Sequence, residues 1–152
     1  MADVTPPLFS RVVAPVANTD DASATAAALR PHVTDAGATV VALHVIEKAS
    51  GALDKASVEQ REREAEALFE TVAGGFADLG VDLETELQYG TDVAATIVDA
   101  AMALDASAIV FTPRGGSRWE KLLSGDVTYG LLEESSVPIV VLPDRAVDDS
   151  GT

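Results

Sequence analysis

The stretch TVVALHVI, Thr39 to Ile46, decides the fold. It is nearly continuous in apolar residues and rich in β-branched ones. It is also too short for an ordinary helix. A run of this kind, without polar alternation, reads as a strand buried on both faces, the usual state of a strand in a parallel sheet sandwiched between helices.

Reading outward, four further strand-like segments appear. Phe9 to Val16 (FSRVVAPV) is a short β-branched run bounded by prolines. Val81 to Gln88 alternates Val81, Leu83, Thr85 and Leu87 with polar residues. Ser107 to Phe111 and Pro138 to Leu142 complete the set. The second, fourth and fifth segments are expected to be buried on both faces. Helical patterns lie between. Asp20 to Val33 follows a cap at Thr19. Lys55 to Leu79 carries Leu68, Phe69, Val72, Phe76 and Leu79 on one stripe, with Gly80 as its stop. Asp92 to Leu104 is capped by Thr91 or Asp92 and turns Val93, Ile97, Ala100, Ala101 and Leu104 inward. Asp126 to Ser135 ends ahead of Pro138. The alternation β-α-β-α-β-α-β-α-β predicts an α/β fold: one doubly wound domain, a five-stranded parallel sheet of order 3-2-1-4-5 and four helices. Residues 8–143 form the domain, with tails at 1–7 and 144–152.

Charge narrows the function. The 152 residues hold 10 Lys plus Arg against 25 Asp plus Glu, a formal net charge of −15. Such a chain has no basic field for phosphate backbones or anionic lipid, so neither nucleic acid nor membrane is expected as a partner. No apolar run approaches the roughly 18 to 20 residues of a membrane helix. The acidic start Met1-Ala2-Asp3-Val4 has no apolar signal core, so a cytoplasmic protein is expected. There are no cysteines and only two histidines, His32 and His44. Cysteine chemistry and histidine-rich metal sites are thereby excluded. Asp outnumbers Glu, and only Lys48, Lys55 and Lys121 are lysines. This usage is expected of a protein working in molar salt, where the Debye length falls to about 3 Å and surface carboxylates no longer repel one another strongly. The plain alternative is an acidic protein with a solvated surface.

In an open doubly wound sheet, ligands bind beyond the carboxyl ends of the strands where the strand order reverses. The segments to inspect are Pro15 to Asp21 (PVANTDD) and Thr112 to Val127 (TPRGGSRWEKLLSGDV). The second has Gly115 and Gly116 after strand four and Gly125 before the last helix. Glycines there permit close backbone approach, and a helix start offers unpaired N–H groups to an anion. Arg114, Arg118 and Lys121 concentrate positive charge in this loop. It reads either as a small anion pocket, with these three as its contacts, or as a surface loop whose cations pair with Glu120 and Asp126.

These segments resemble the universal stress protein (UspA-like) family, along roughly residues 8 to 143. VVAPVANTDDA, VVALHVIE, YGTDVAATIVDAA and the final LLEESSVPIVVLP carry the likeness. The resemblance implies an adenine nucleotide alpha hydrolase-like fold and a stress-response role. It also implies a homodimer paired through the last strand, Pro138, Ile139, Val140, Val141 and Leu142. One branch of the family binds ATP or related adenine nucleotides, and ATP with Mg²⁺ is the cofactor to test. By resemblance, the nucleotide site comprises Pro15, Val16, Ala17, Val45, Thr112, Arg114, Gly115, Gly125, Asp126 and Val127.

Three of these positions depart from the ATP-binding pattern of glycine, two residues, glycine, nine residues, glycine, then Ser or Thr. Thr112 stands for the first glycine and Asp126 for the small hydroxyl residue. Ala17 replaces an Asp of the family. Asp126 is the most disruptive, because like charges 4 Å apart repel by about 1 kcal/mol in water and about 4 kcal/mol at an effective dielectric of 20. The expected function is therefore a non-enzymatic stress-response homodimer with a degenerate nucleotide site, acting through protein partners or a ligand other than ATP. The alternative is an adenine-nucleotide (ATP/AMP) sensor that still uses the modified loop. Ser117 and Ser124 have no base arranged beside them, so catalysis is not expected. His44 reads as a packing residue, His32 as a surface residue, and Asp20 and Asp21 as first-turn helix residues rather than metal ligands. Trp119 packs either across the pocket mouth or at an interface.

Overall fold

The computed structural model describes residues 7–34, 37–47, 55–112, 133 and 135–142. Five strands occur in chain order: β1 (Arg11–Pro15), β2 (Thr39–Glu47), β3 (Asp82–Gly90), β4 (Ala108–Phe111) and β5 (Ile139–Val141). Among the described residues there are three α-helices, α1 (Thr19–Leu29), α2 (Lys55–Gly75) and α3 (Val93–Ala103). All strand pairs are parallel, and the order is β3-β2-β1-β4-β5. This is the predicted architecture. The predicted fourth helix and both predicted tails fall outside the described residues, apart from Glu133, Ser135 and Pro7.

The alternation of side chains along the central strands sorts the core into two layers. Val12, Ala14, Val40, Ala42, Ala108 and Val110 face α1 and α2, where they meet Leu29, Leu68, Val72 and Phe76. Val13, Val41, Leu43, Ile109 and Phe111 face α3, where they meet Ile97, Val98 and Ala101. Both faces of β2 and β4 are thus buried, as their apolar runs require. β5 differs from expectation. Ile139 and Val140 are half-buried and Val141 is exposed, because β5 is the sheet's edge and pairs only with β4 among the described strands.

Local chemistry sets the helix limits. The cap of α1 is Asn18, not Thr19: its side chain accepts the Asp21 amide at 2.8 Å. The α-helix stops at Leu29 and passes into a 3-10 turn at Arg30–His32. Pro31 has no N–H to give to the turn before it. His32 is exposed and stacks on Phe9, with ring centroids 4.9 Å apart. Helix α2 ends at Gly75 rather than Leu79, and two i to i−3 bonds, Phe76 to Ala73 and Leu79 to Phe76, carry the chain onward. Helix α3 has Asp92 as its cap, with the side chain on the Ala95 amide at 3.1 Å. It closes with Asp105 in the left-handed region (φ 56°) and bonds from Asp105 to Met102 and from Ala106 to Ala101, the pairing of a Schellman end.

Helices α1 and α2 meet through small residues. A Cβ at Gly75 would stand 2.6 Å from the Ala26 Cβ. Arg30 spans the same junction, donating to the Gly75 carbonyl at 2.6 Å and to both Asp78 oxygens at 2.8 and 3.0 Å. A cation on the last carbonyls of a helix also complements its dipole. At the amino ends of the strands, Arg11 donates to Leu104 O and to both Glu84 oxygens, and the Ser107 hydroxyl accepts the Arg11 amide at 2.9 Å.

Candidate functional site

The strand order reverses between β1 and β4. Their register covers two pairs, Val12 with Ala108 and Val13 with Ile109, whereas β1 and β2 register over five. Helix α1 leaves β1 for one face of the sheet and α3 lies on the other, and the carboxyl ends of β1 and β4 mark the position at which such folds form a ligand crevice.

The turn after β1 builds one wall. Val16 extends the ladder by donating to Leu43 O at 2.8 Å. Its own carbonyl faces the His44 ring, with Nδ1 at 2.8 Å. A carbonyl can only accept, so Nδ1 carries the proton. The chain then turns at Ala17 and Asn18 into α1. Asn18 accepts the Asp21 amide on its side chain and the Ala22 amide on its carbonyl, both at 2.8 Å. The Asp21 carboxylate reaches back to accept the Ala17 amide at 2.7 Å. This is a capping box extended by one residue, with Asn18 and Asp21 satisfying each other's neighbourhood. Asp21 is fully buried. The amide it holds and the positive end of α1 oppose the cost of burying its charge.

The resemblance-derived positions separate on inspection. Pro15, Val16, Val45 and Thr112 are all buried, and Ala17 alone among the five described is half-buried. Val45 belongs to the layer under α3. Thr112 is in step with Ala108 and Val110, which belong to the layer under α1 and α2. Their side chains therefore do not line one pocket. Thr112 is 1% exposed, and its hydroxyl has no hydrogen-bond partner among the described residues. Arg114, Gly115, Arg118, Lys121, Gly125, Asp126 and Val127 lie outside the described residues, as do Ser117, Trp119 and Ser124.

A hollow of about 250 Å³ opens beside the turn, on the α1 and α2 side. It is lined by Ala17, Asn18 and Thr19 from the turn, His44 from β2, and Glu64, Ala67 and Leu68 from α2. Sequence reading missed Asp21 as a site-shaping residue and missed the hollow. Asp21 had a signal, since it stands three residues after an Asn cap. The hollow had none, because it forms only where α2 passes the turn. Further along, the Tyr89 hydroxyl donates to Glu62 at 2.5 Å and ties α2 to β3. That bond to a carboxylate raises the phenol above its usual value. Among the described residues, no cluster of three or more His, Asp or Glu side chains could hold a metal ion, and no helix is long and apolar enough to cross a membrane.

Comparison with known proteins gives three findings. Residues 8–143 match the model of the Universal stress protein family. No curated protein sequence matches the chain. Solved structures share the fold. A universal stress protein family member from Burkholderia pseudomallei is 21% identical, with a TM-score of 0.69, over 91% of this chain and 98% of that one. The universal stress protein from Archaeoglobus fulgidus, in complex with dAMP, is 22% identical with a TM-score of 0.55, over 87% and 95%. An Arabidopsis thaliana family protein with AMP bound is 16% identical with a TM-score of 0.56, over 88% and 90%.

Proposed function

The chain belongs to the universal stress protein family, and from that premise we propose that it is a non-enzymatic, cytoplasmic stress-response protein whose nucleotide site is degenerate and does not hold ATP tightly. The observation that carries this reading is the 2.7 Å bond from the Ala17 amide to the Asp21 carboxylate. A donor at the mouth of the crevice is already satisfied, and by a negative charge that repels phosphate. Asp126 adds a second carboxylate where the family's motif has a hydroxyl. The protein acts as a homodimer joined along β5, through protein partners, in a salt-rich medium that screens its −15 charge.

Calorimetric titration tests the site. The wild type is expected to give no saturable heat with Mg-ATP at micromolar concentration, in low or molar KCl. Micromolar binding would overturn the proposal. Binding restored by Ala17→Asp/Thr112→Gly/Asp126→Ser, or by Asp21→Asn, would support it. The second reading, an adenine-nucleotide sensor, draws on structural neighbours described with dAMP, cAMP or AMP. A monophosphate brings less charge to the Asp21 carboxylate. Wild-type binding of AMP without ATP would select this reading.

A further inference from the structure

We propose that a hollow at the amino ends of β1 and β2 is a binding site for a neutral phenol, a flat ring bearing a hydroxyl. The hollow measures about 450 Å³, a volume within the range of small-molecule pockets. It lies at the opposite end of the strands from the β1 and β4 crevice. Three stretches of chain build it. Residues 7–10 lead into β1, Gly37 and Ala38 lead into β2, and His32 ends the 3-10 turn after α1.

The walls are aromatic and apolar. Phe9 and His32 stack with ring centroids 4.9 Å apart and planes 16° apart. Such a pair offers faces and edges to a further ring. Leu8 lines the same hollow and is 43% exposed, although it is a large apolar residue. Covering it with a ligand's ring removes apolar surface from water. Gly37 has φ 97°, and a Cβ there would meet nothing within 4 Å, so the wall has open space at that point.

Two polar side chains remain. Ser10 spends its amide on Pro7 O and its carbonyl on the Thr39 amide, and its hydroxyl has no hydrogen bond among the described residues. The ring nitrogens of His32 have none either. A hydroxyl both donates and accepts, and so does a neutral imidazole, through its two nitrogens. A phenolic hydroxyl has the same double character and can serve either group. Among the described residues no Asp, Glu, Lys or Arg lines the hollow. A charged ring compound therefore meets no carboxylate, ammonium or guanidinium of opposite sign there, which favours a neutral ligand.

The test is a ¹⁵N–¹H NMR titration of the full chain with phenol, set against benzoate, benzylammonium and cyclohexanol at constant ionic strength. Phenol alone is expected to give saturable shifts at the Phe9, Ser10, Gly37 and Ala38 amides, and none at Ala17 or Val45 near the other ends of the strands. Ser10→Ala removes the hydroxyl, and His32→Phe keeps a ring for the stack but removes the nitrogens. Each should weaken binding by about threefold to tenfold. Neither side chain holds a hydrogen bond among the described residues and His32 is exposed, so both variants are expected to fold. Shifts that do not saturate, equal affinity for benzoate, benzylammonium or cyclohexanol, or unchanged affinity in either variant would each overturn the proposal. The hollow shares no residue with the degenerate nucleotide site. Micromolar Mg-ATP binding therefore removes the degenerate-site reading alone, and failure of phenol removes this inference alone.

Discussion

The Asp21 carboxylate holds the Ala17 amide at 2.7 Å, four residues back across the turn from β1 to α1. Removing it strands an amide at the mouth of the crevice. Asp21→Ala is expected to lower stability by about 1–3 kcal/mol, the cost of a donor left without its acceptor. Asp21→Asn keeps an oxygen in place and should cost less. Urea unfolding of the two variants checks the order. Equal losses would mean that the side-chain charge, not the hydrogen bond, is what matters.

Gly74 and Gly75 are neighbours with opposite expected responses to the same change. A Cβ at Gly75 meets the Ala26 Cβ at 2.6 Å, whereas one at Gly74 meets nothing within 4 Å. Ala26 has no rotamer by which to yield. Gly75→Ala should therefore cost about 1–3 kcal/mol by forcing α1 and α2 apart. Gly74→Ala should raise stability by up to about 1 kcal/mol, through helix propensity and a less flexible unfolded chain. Paired thermal melts are sufficient to see the difference in sign.

Arg30 lowers the Asp78 carboxyl from 3.8 to about 2, chiefly through its hydrogen bond. A carboxyl depressed on folding stabilises the native state above its unfolded value and loses that contribution as pH falls from about 3.8 through about 2. Glu84 beside Arg11 is lowered in the same direction. Asp78→Asn should lower stability at neutral pH and change it little at about pH 2, so that the acid limb of the stability profile flattens. The Arg30 and Asp78 side chains are 38% and 69% exposed, so the difference should shrink in molar salt. Acid titrations followed by circular dichroism, at low and high KCl, provide the measurement.

At β5, Val141 is 50% exposed on a strand of Ile139, Val140 and Val141. Unpaired apolar edges are adhesive. Val141→Glu is expected to shift the proposed dimer to monomer with little change in monomer fold. Sedimentation velocity at micromolar concentration reads this directly, and a wild type that already sediments as a monomer would end the dimer proposal.

The sheet was legible because each central strand advertises itself: TVVALHVI and AIVF can hardly be anything but strands covered on both sides. β5 has the same composition but not the same burial, since an edge strand's exposure depends on what lies beside it rather than on its own residues. The α1 cap was displaced by one position because Asn18 and Thr19 are both good caps and only the Asp21 amide distinguishes them. Arg30 reaches Gly75 and Asp78 from 45 and 48 residues away, a distance at which no local pattern carries information. Thr112 is a candidate by its place after β4, and only its parity with Ala108 and Val110 shows that its side chain turns into the α1 layer, away from that of Val45.

The two margins of the sheet are chemically unlike. β3 carries Asp82, Glu84 and Glu86 along nine residues, while β5 offers three residues without a charge. Carboxylates on one margin discourage strand addition there. In the proposed dimer, copies meet β5 to β5, a self-complementary contact that terminates at two. Head-to-tail growth, β5 onto β3, is the route by which parallel sheets become fibres, and the acidic row on β3 obstructs it.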